Sequence, residues 1–124
     1  MTNFERFKSM DSDTFAEEIQ KVFQTPFRTH IDWKAYMKGE SENPQDYFIS
    51  ERTVRVVPSE MEIVAALGKA KAADFAEYEN YRVMHTKVMP LLEETSMFGR
   101  KMYTVADTEN NRILKVPEKY VETE

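Results

Sequence analysis

The stretch Ser59–Met89, SEMEIVAALGKAKAADFAEYENYRVMHTKVM, decides how the rest of the chain reads. It contains no Pro and only one of the three Gly, Gly68. Ser59 stands where a hydroxyl can accept from the first free N–H groups of a helix, and Glu62, three residues on, can reach back to the cap. Pro58 holds the entry extended, and Pro90 marks a stop or a kink. Unbroken, such a helix would be roughly 45 Å long, about the width of a small domain. The expectation is one long central helix, or two broken near Gly68 or Asn80, with the other elements packed around it.

Upstream, TNFERFKSM from Thr2 reads as a short amphipathic helix with Phe4, Phe7 and Met10 on its apolar side. Asp11 or Ser12 caps a second helix, DTFAEEIQKVFQ. Its Phe15, Ile19, Val22 and Phe23 fall at i, i+4, i+7 and i+8, one face of an α-helix, and Thr25-Pro26 ends it. Ile31–Met37 fits a short third helix, with Asp32 near its start and Gly39 near its end. GESENPQD, rich in turn formers, is a polar connector. Tyr47-Phe48-Ile49 and Arg52–Val57 read as extended segments, the second alternating Thr, Val and Arg.

Downstream, Lys101–Ala106 is strand-like and Asp107–Asn111 is a turn, its two Asn tolerant of positive φ. Arg112–Val116 returns as the partner strand, and Pro117 closes the hairpin. EKYVETE, residues 118–124, reads as a frayed polar tail tied at Tyr120 and Val121. The sum is a single α+β domain over 1–124. Residues 1–38 form a helical N-terminal part, and 47–117 supply a strand, the long central helix and the hairpin of a small antiparallel sheet.

The totals remove several function classes. With 41% hydrophobic and 12% aromatic residues, 124 residues fit one folded domain rather than a disordered chain. No run approaches a membrane span and no signal segment opens the chain, so the expectation is a cytoplasmic protein without membrane partners. The absence of Cys removes disulfides, thiolate zinc sites and Cys nucleophiles at once. A net charge of −5 disfavours direct nucleic-acid binding, which needs clustered Lys and Arg, yet is too mild to mimic the DNA backbone.

No residue constellation names a reaction. His30 and Asp32 stand close, as two metal ligands would, but lack a third and fourth. His85 is flanked by Met84 and is readable as packing. No Ser occupies a Gly-flanked elbow with a His base behind it. The neighbouring acids Glu17-Glu18 and Glu93-Glu94 point about 100° apart if helical, which suits a solvated face. Arg52, Arg55, Tyr103 and Arg112 could meet a single strand if the sheet presented them together. The expectation is therefore a non-enzyme with no cofactor and no metal.

Protein binding has more to offer. Phe75, Tyr78, Tyr81, Arg82 and His85 crowd one stretch of the expected helix, and Tyr and Arg anchor interfaces. A second stripe, Ile63, Leu67, Ala70, Tyr81, Met84 and Val88, would face the core. The candidate partner-binding residues are thus Tyr78, Tyr81, Arg82 and His85, joined by Glu40, Glu42 and Asp46 of the acidic connector.

The opening MTNFERFKSMDSDTFAEEIQKV resembles the start of small phage and prophage proteins from Firmicutes. These often begin with Thr-Asn-(Phe/Tyr)-Glu-(Lys/Arg)-(Phe/Ile)-Lys-x-Met followed by an acidic amphipathic helix. Thr2, Asn3, Phe4, Glu5, Arg6, Phe7, Lys8 and Met10 match the element, and Phe15, Ala16 and Ile19 fall on the helix. The Cys-rich continuation common in that group has no counterpart here. The resemblance implies a phage-type inhibitor that binds and blocks a host protein such as a CRISPR or other defence nuclease, in the manner of anti-CRISPR proteins. The alternatives are a phage structural or assembly protein oligomerising through its long helix, and a nucleic-acid-binding accessory factor.

Overall fold

The computed structural model describes residues 1–123 and shows an α+β domain built on a five-stranded antiparallel sheet. Three helices come first: α1 (Asn3–Lys8), α2 (Ser12–Phe23) and α3 (Trp33–Lys38). Each opens on a capping side chain, as the sequence implies. The Thr2 hydroxyl and Glu5 carboxylate form a reciprocal capping box, Asp11 accepts from the Thr14 amide, and Asp32 accepts from that of Ala35. Single 3₁₀ turns cover Arg28–His30 and Pro44–Tyr47. Tyr47 therefore ends a turn instead of opening a strand, and Phe48 makes only an isolated bridge to Ile31.

The long helix does not form. The chain runs β1 (Thr53–Val56), α4 (Glu60–Leu67), α5 (Lys69–Ala72), α6 (Phe75–Met84), then β2 (Lys87–Met97). The Ser59/Glu62 capping box starts α4. Gly68 ends it at φ +84, a conformation open to Gly at little cost. Asp74 restarts the chain as α6 by accepting from the Ala76 and Glu77 amides. Asn80 lies inside α6, so the second anticipated break does not occur there. Pro90 is neither stop nor kink but a strand residue opposite Thr53, the first residue of β1, at the end of that ladder. Missing an N–H there costs little.

Strands β3 (Arg100–Asp107) and β4 (Arg112–Pro117) form the expected hairpin, with Asn111 at φ +52. The anticipated tail is a correction: Glu118–Tyr120 make a 3₁₀ turn, and β5 (Val121–Thr123) pairs with β1 at the sheet edge. Val57 N–H donates to the Tyr120 carbonyl, which ties the turn to the end of β1. Strand order is β4-β3-β2-β1-β5. The two-residue connection between β2 and β3, Phe98-Gly99, has φ +53 and +75, the positive pair that suits the twist of a tight hairpin.

Adjacent residues of a strand face opposite sides, so buried Val105 and Ala106 show that β3 is covered on both. On one side Val54, Met89, Leu91, Tyr103, Val105 and Val116 cluster with Tyr120 and Val121. On the other, Ala106 packs with Phe27 and Ile31 of the helical part, joined by Trp33, Phe48 and Leu92. Of the stripe expected to face the core, Ile63 is fully buried, but Met84 and Val88 are exposed. Val88 lies in β2 on the side opposite its buried neighbour Met89, and Met84 closes α6. Phe4 is likewise exposed while Phe7 is buried. No described helix is long and apolar enough to cross a membrane.

The least expected core residue is Asn3, 1% exposed. Its Nδ2 donates to the carbonyl oxygens of Tyr36 (2.8 Å) and Ser41 (2.6 Å), and its amide donates to Gly39 (2.9 Å). One amide side chain thus ties α1 to α3 and the connector. Asn3→Ala is expected to cost about 2 kcal/mol, read as a lower urea midpoint. Asn3→Asp should cost more, because a carboxylate cannot donate to either carbonyl.

Candidate protein-binding site

Helix α6 presents two faces. The inward one carries Tyr78, Tyr81 and Arg82, all half-buried. Arg82 Nη2 meets Glu122 Oε1 of β5 at 2.9 Å, and Nη1 lies 3.8 Å from Glu79. Tyr81 and His85 stack with ring centroids 3.9 Å apart at 16°. His85 Nδ1 sits 3.0 Å from the Tyr81 carbonyl oxygen. Because a carbonyl only accepts, the Nδ1–H is the donor in this contact. The outward face carries Ala76, Asn80, Val83 and Met84 at helical spacing, and Val83 and Met84 are 66% and 71% exposed.

Tyr81 and His85 wall a cleft of about 460 Å³ between the α4–α6 arm and the sheet. Met89, Leu114, Val116 and Tyr120 give it an apolar lining, and Glu62, Lys87, Asp107 and Arg112 supply charge. Lys87 Nζ pairs with Glu109 at 2.7 Å, and Arg112 Nε with Asp107 at 2.9 Å. Burial alone would push the Asp107 carboxyl up, but hydrogen bonds from Asn110 and Arg112 outweigh it and hold it below the usual carboxylate value. The Asp107–Arg112 pair was readable in principle, since the two flank the hairpin turn and lie opposite each other in register.

The acidic connector is spent on the fold. Glu40 lies 3.5 Å from the Met1 amino group, Glu42 pairs with Arg6 Nε at 2.9 Å, and Asp46 accepts a hydrogen bond from the Ser41 hydroxyl. Among the described residues none of these hydrogen bonds or ion pairs reaches α6. The structure therefore brings Tyr81 and His85 to one cleft, aims Arg82 at β5, and leaves Glu40, Glu42 and Asp46 with α1 and α3.

The other constellations fare as follows. Tyr103 is buried in the sheet, Arg112 is paired with Asp107, and Arg52 with Glu94 at 3.1 Å. They are not presented together as a platform for a nucleic-acid strand. His30 lies in a 3₁₀ turn, and Asp32 is committed to capping α3. Among the described residues no group of three or more His, Asp or Glu side chains is placed to hold a metal ion. No family model matches the chain, and no curated protein or solved structure is significantly similar to it.

Two outcomes follow for this region. Arg82→Ala should change global stability by less than about 1 kcal/mol, as for other exposed pairs, while amide exchange in α6 accelerates because its tie to β5 is lost. Asp107 has a folded-state pKa below its ordinary value of 3.8, so its contribution is complete above that value and drains as pH falls through the depressed one. The melting temperature of the native chain should therefore drop more steeply below pH 4 than that of Asp107→Asn.

Proposed function

We propose that this protein acts by binding another protein and blocking it, without catalysing a reaction of its own, and that the α4–α6 arm is the element that makes contact. The observation that carries this reading is the composition of the arm's outer surface. α6 has no buried residue; its Phe75, Val83 and Met84 stand in solvent, and Met61 of α4 is exposed as well. Large apolar side chains gathered on one arm mark contact surfaces more often than accident. Tyr81 and His85 hold the adjoining cleft, and Tyr78 and Arg82 support the helix from within.

The partner class comes from the N-terminal resemblance. Phage-type accessory proteins of this size and charge work on host machinery, and a CRISPR or other defence nuclease is the target we favour. Steric occlusion of a nucleic-acid channel is the mechanism that needs least of the inhibitor: an acidic body and a few apolar anchors. A self-assembly role along one continuous helix has lost support, because Gly68 and Asp74 divide the arm into three short pieces.

The test is a cleavage assay with purified host defence nucleases, each titrated with the protein. One nuclease should lose activity at stoichiometric ratios and co-elute with it. Val83→Glu with Met84→Glu should raise the inhibitory concentration at least about tenfold and leave the melting temperature within a few degrees. If no nuclease is inhibited and the protein alone runs above monomer mass, the assembly reading takes its place.

A further inference from the structure

Away from the arm, α1 and α3 enclose a groove of about 680 Å³. Phe4, Trp33 and Met37 give it an apolar lining, with Lys34 and Lys38 beside them. Lys8 adds a third cation, its Nζ 6.0 Å from the Phe4 ring centroid. The groove is built in advance, since Asn3 bonds α1 to α3 and Trp33 is fixed by its Nε1–H donating to the Arg28 carbonyl at 3.0 Å. Trp33 also meets Phe23 and Tyr36 edge-on, at 4.6 and 5.5 Å.

Lys8 and Lys38 suit the C-terminal ends of α1 and α3, but Lys34 and Lys38 stand at i and i+4 of one six-residue helix, an arrangement of like charges that weakens it. None of Lys8, Lys34 and Lys38 has a carboxylate within pairing distance among the described residues. Arg6, Lys21, Arg52, Arg82, Lys87, Lys101 and Arg112 do find one, on a chain with 22 acidic residues against 17 basic.

We infer that this groove docks an acidic amphipathic helix of a partner protein. Complementarity sets the chemistry: apolar side chains for Phe4, Trp33 and Met37, flanked by Asp or Glu for the three lysines. The groove lies between helices and has no row of unpaired backbone groups to receive a strand, so the occupant must satisfy its own backbone, as a helix does. An anionic bilayer fits less well. Three lysines and a concave surface give weak purchase on a flat membrane, and a net charge of −5 opposes approach. The inference rests on the reading of this chain as a protein-binding protein and adds a second contact, remote from α6.

Trp33 is the sole Trp, so its fluorescence reports the groove directly. The probes are two Trp-free helical peptides with the same Leu/Met stripe, one with a Glu polar face and one with a Lys polar face. The Glu peptide should shift Trp33 emission to the blue with a saturating curve. K34E/K38E should weaken it about tenfold and give affinity for the Lys peptide, with an unchanged circular dichroism spectrum. Equal response to both peptides, or to neither, overturns the inference. A response confined to phosphatidylglycerol vesicles or to oligothymidylate overturns it in favour of a lipid or nucleic-acid site. Nuclease inhibition by the native chain with no response of Trp33 to the Glu peptide removes the groove alone. A Glu-specific response with no nuclease inhibited keeps the groove and removes the nuclease.

Discussion

Strand β3 must satisfy two cores at once, and that constraint orders the molecule. Tyr103 and Val105 face one cluster while Thr104 and Ala106 lie on the other side, and all four are buried. A slip of one residue would exchange the faces and send Val105 into the space beside Phe27 that Ala106 now fills. The register with β4, Val105 opposite Leu114 and Ala106 opposite Ile113, is therefore held by packing as well as by the hairpin turn. β2 likewise supplies Leu91 to one cluster and Leu92 to the other, with a register shift against β3 between Leu91 and Glu93.

How far the sequence disclosed this depended on whether a local signal matched the tertiary demand. Caps at Asp11 and Ser59 were legible because capping is local chemistry, and Asp32 stood near the expected start of α3. The β3–β4 hairpin was legible because its polar turn interrupts two short apolar runs. β2 was not. Lys87–Met97 begins in what reads as helix, contains Pro90, and carries adjacent leucines in place of an alternating pattern. A strand buried on both faces loses its period-2 signature, and the register shift erases what is left. β5 was hidden by the same token: three residues of a polar segment have no signature until β1 offers an edge.

The candidate site was legible in part. The crowding of Tyr78, Tyr81, Arg82 and His85 reads as one outer surface, but the helix turns most of that face inward. Arg82 finds Glu122 and Tyr81 finds His85. The outward residue Met84 had been assigned to the core because a continuous helix would have put it there. The break at Gly68 and the restart at Asp74 rotate the faces, and no periodicity read across both can see that. The connector carboxylates show the converse. Their charge density looked like an external surface, yet Arg6 and the chain's amino group absorb Glu42 and Glu40.

The placement of β1 carries a consequence for how the chain reaches this state. Its neighbours on both sides, β2 and β5, come from downstream, the first beyond the whole α4–α6 arm and the second beyond the hairpin as well. During synthesis β1 emerges with nothing to pair with, and waits until nearly every later element has left the ribosome. The N-terminal helices, whose caps are local, can form early. The sheet is governed by contacts of high sequence separation and must close late, in a step slowed by loop entropy. Until then β1 is an open edge rich in Val, the stretch of this chain most exposed to wrong partners.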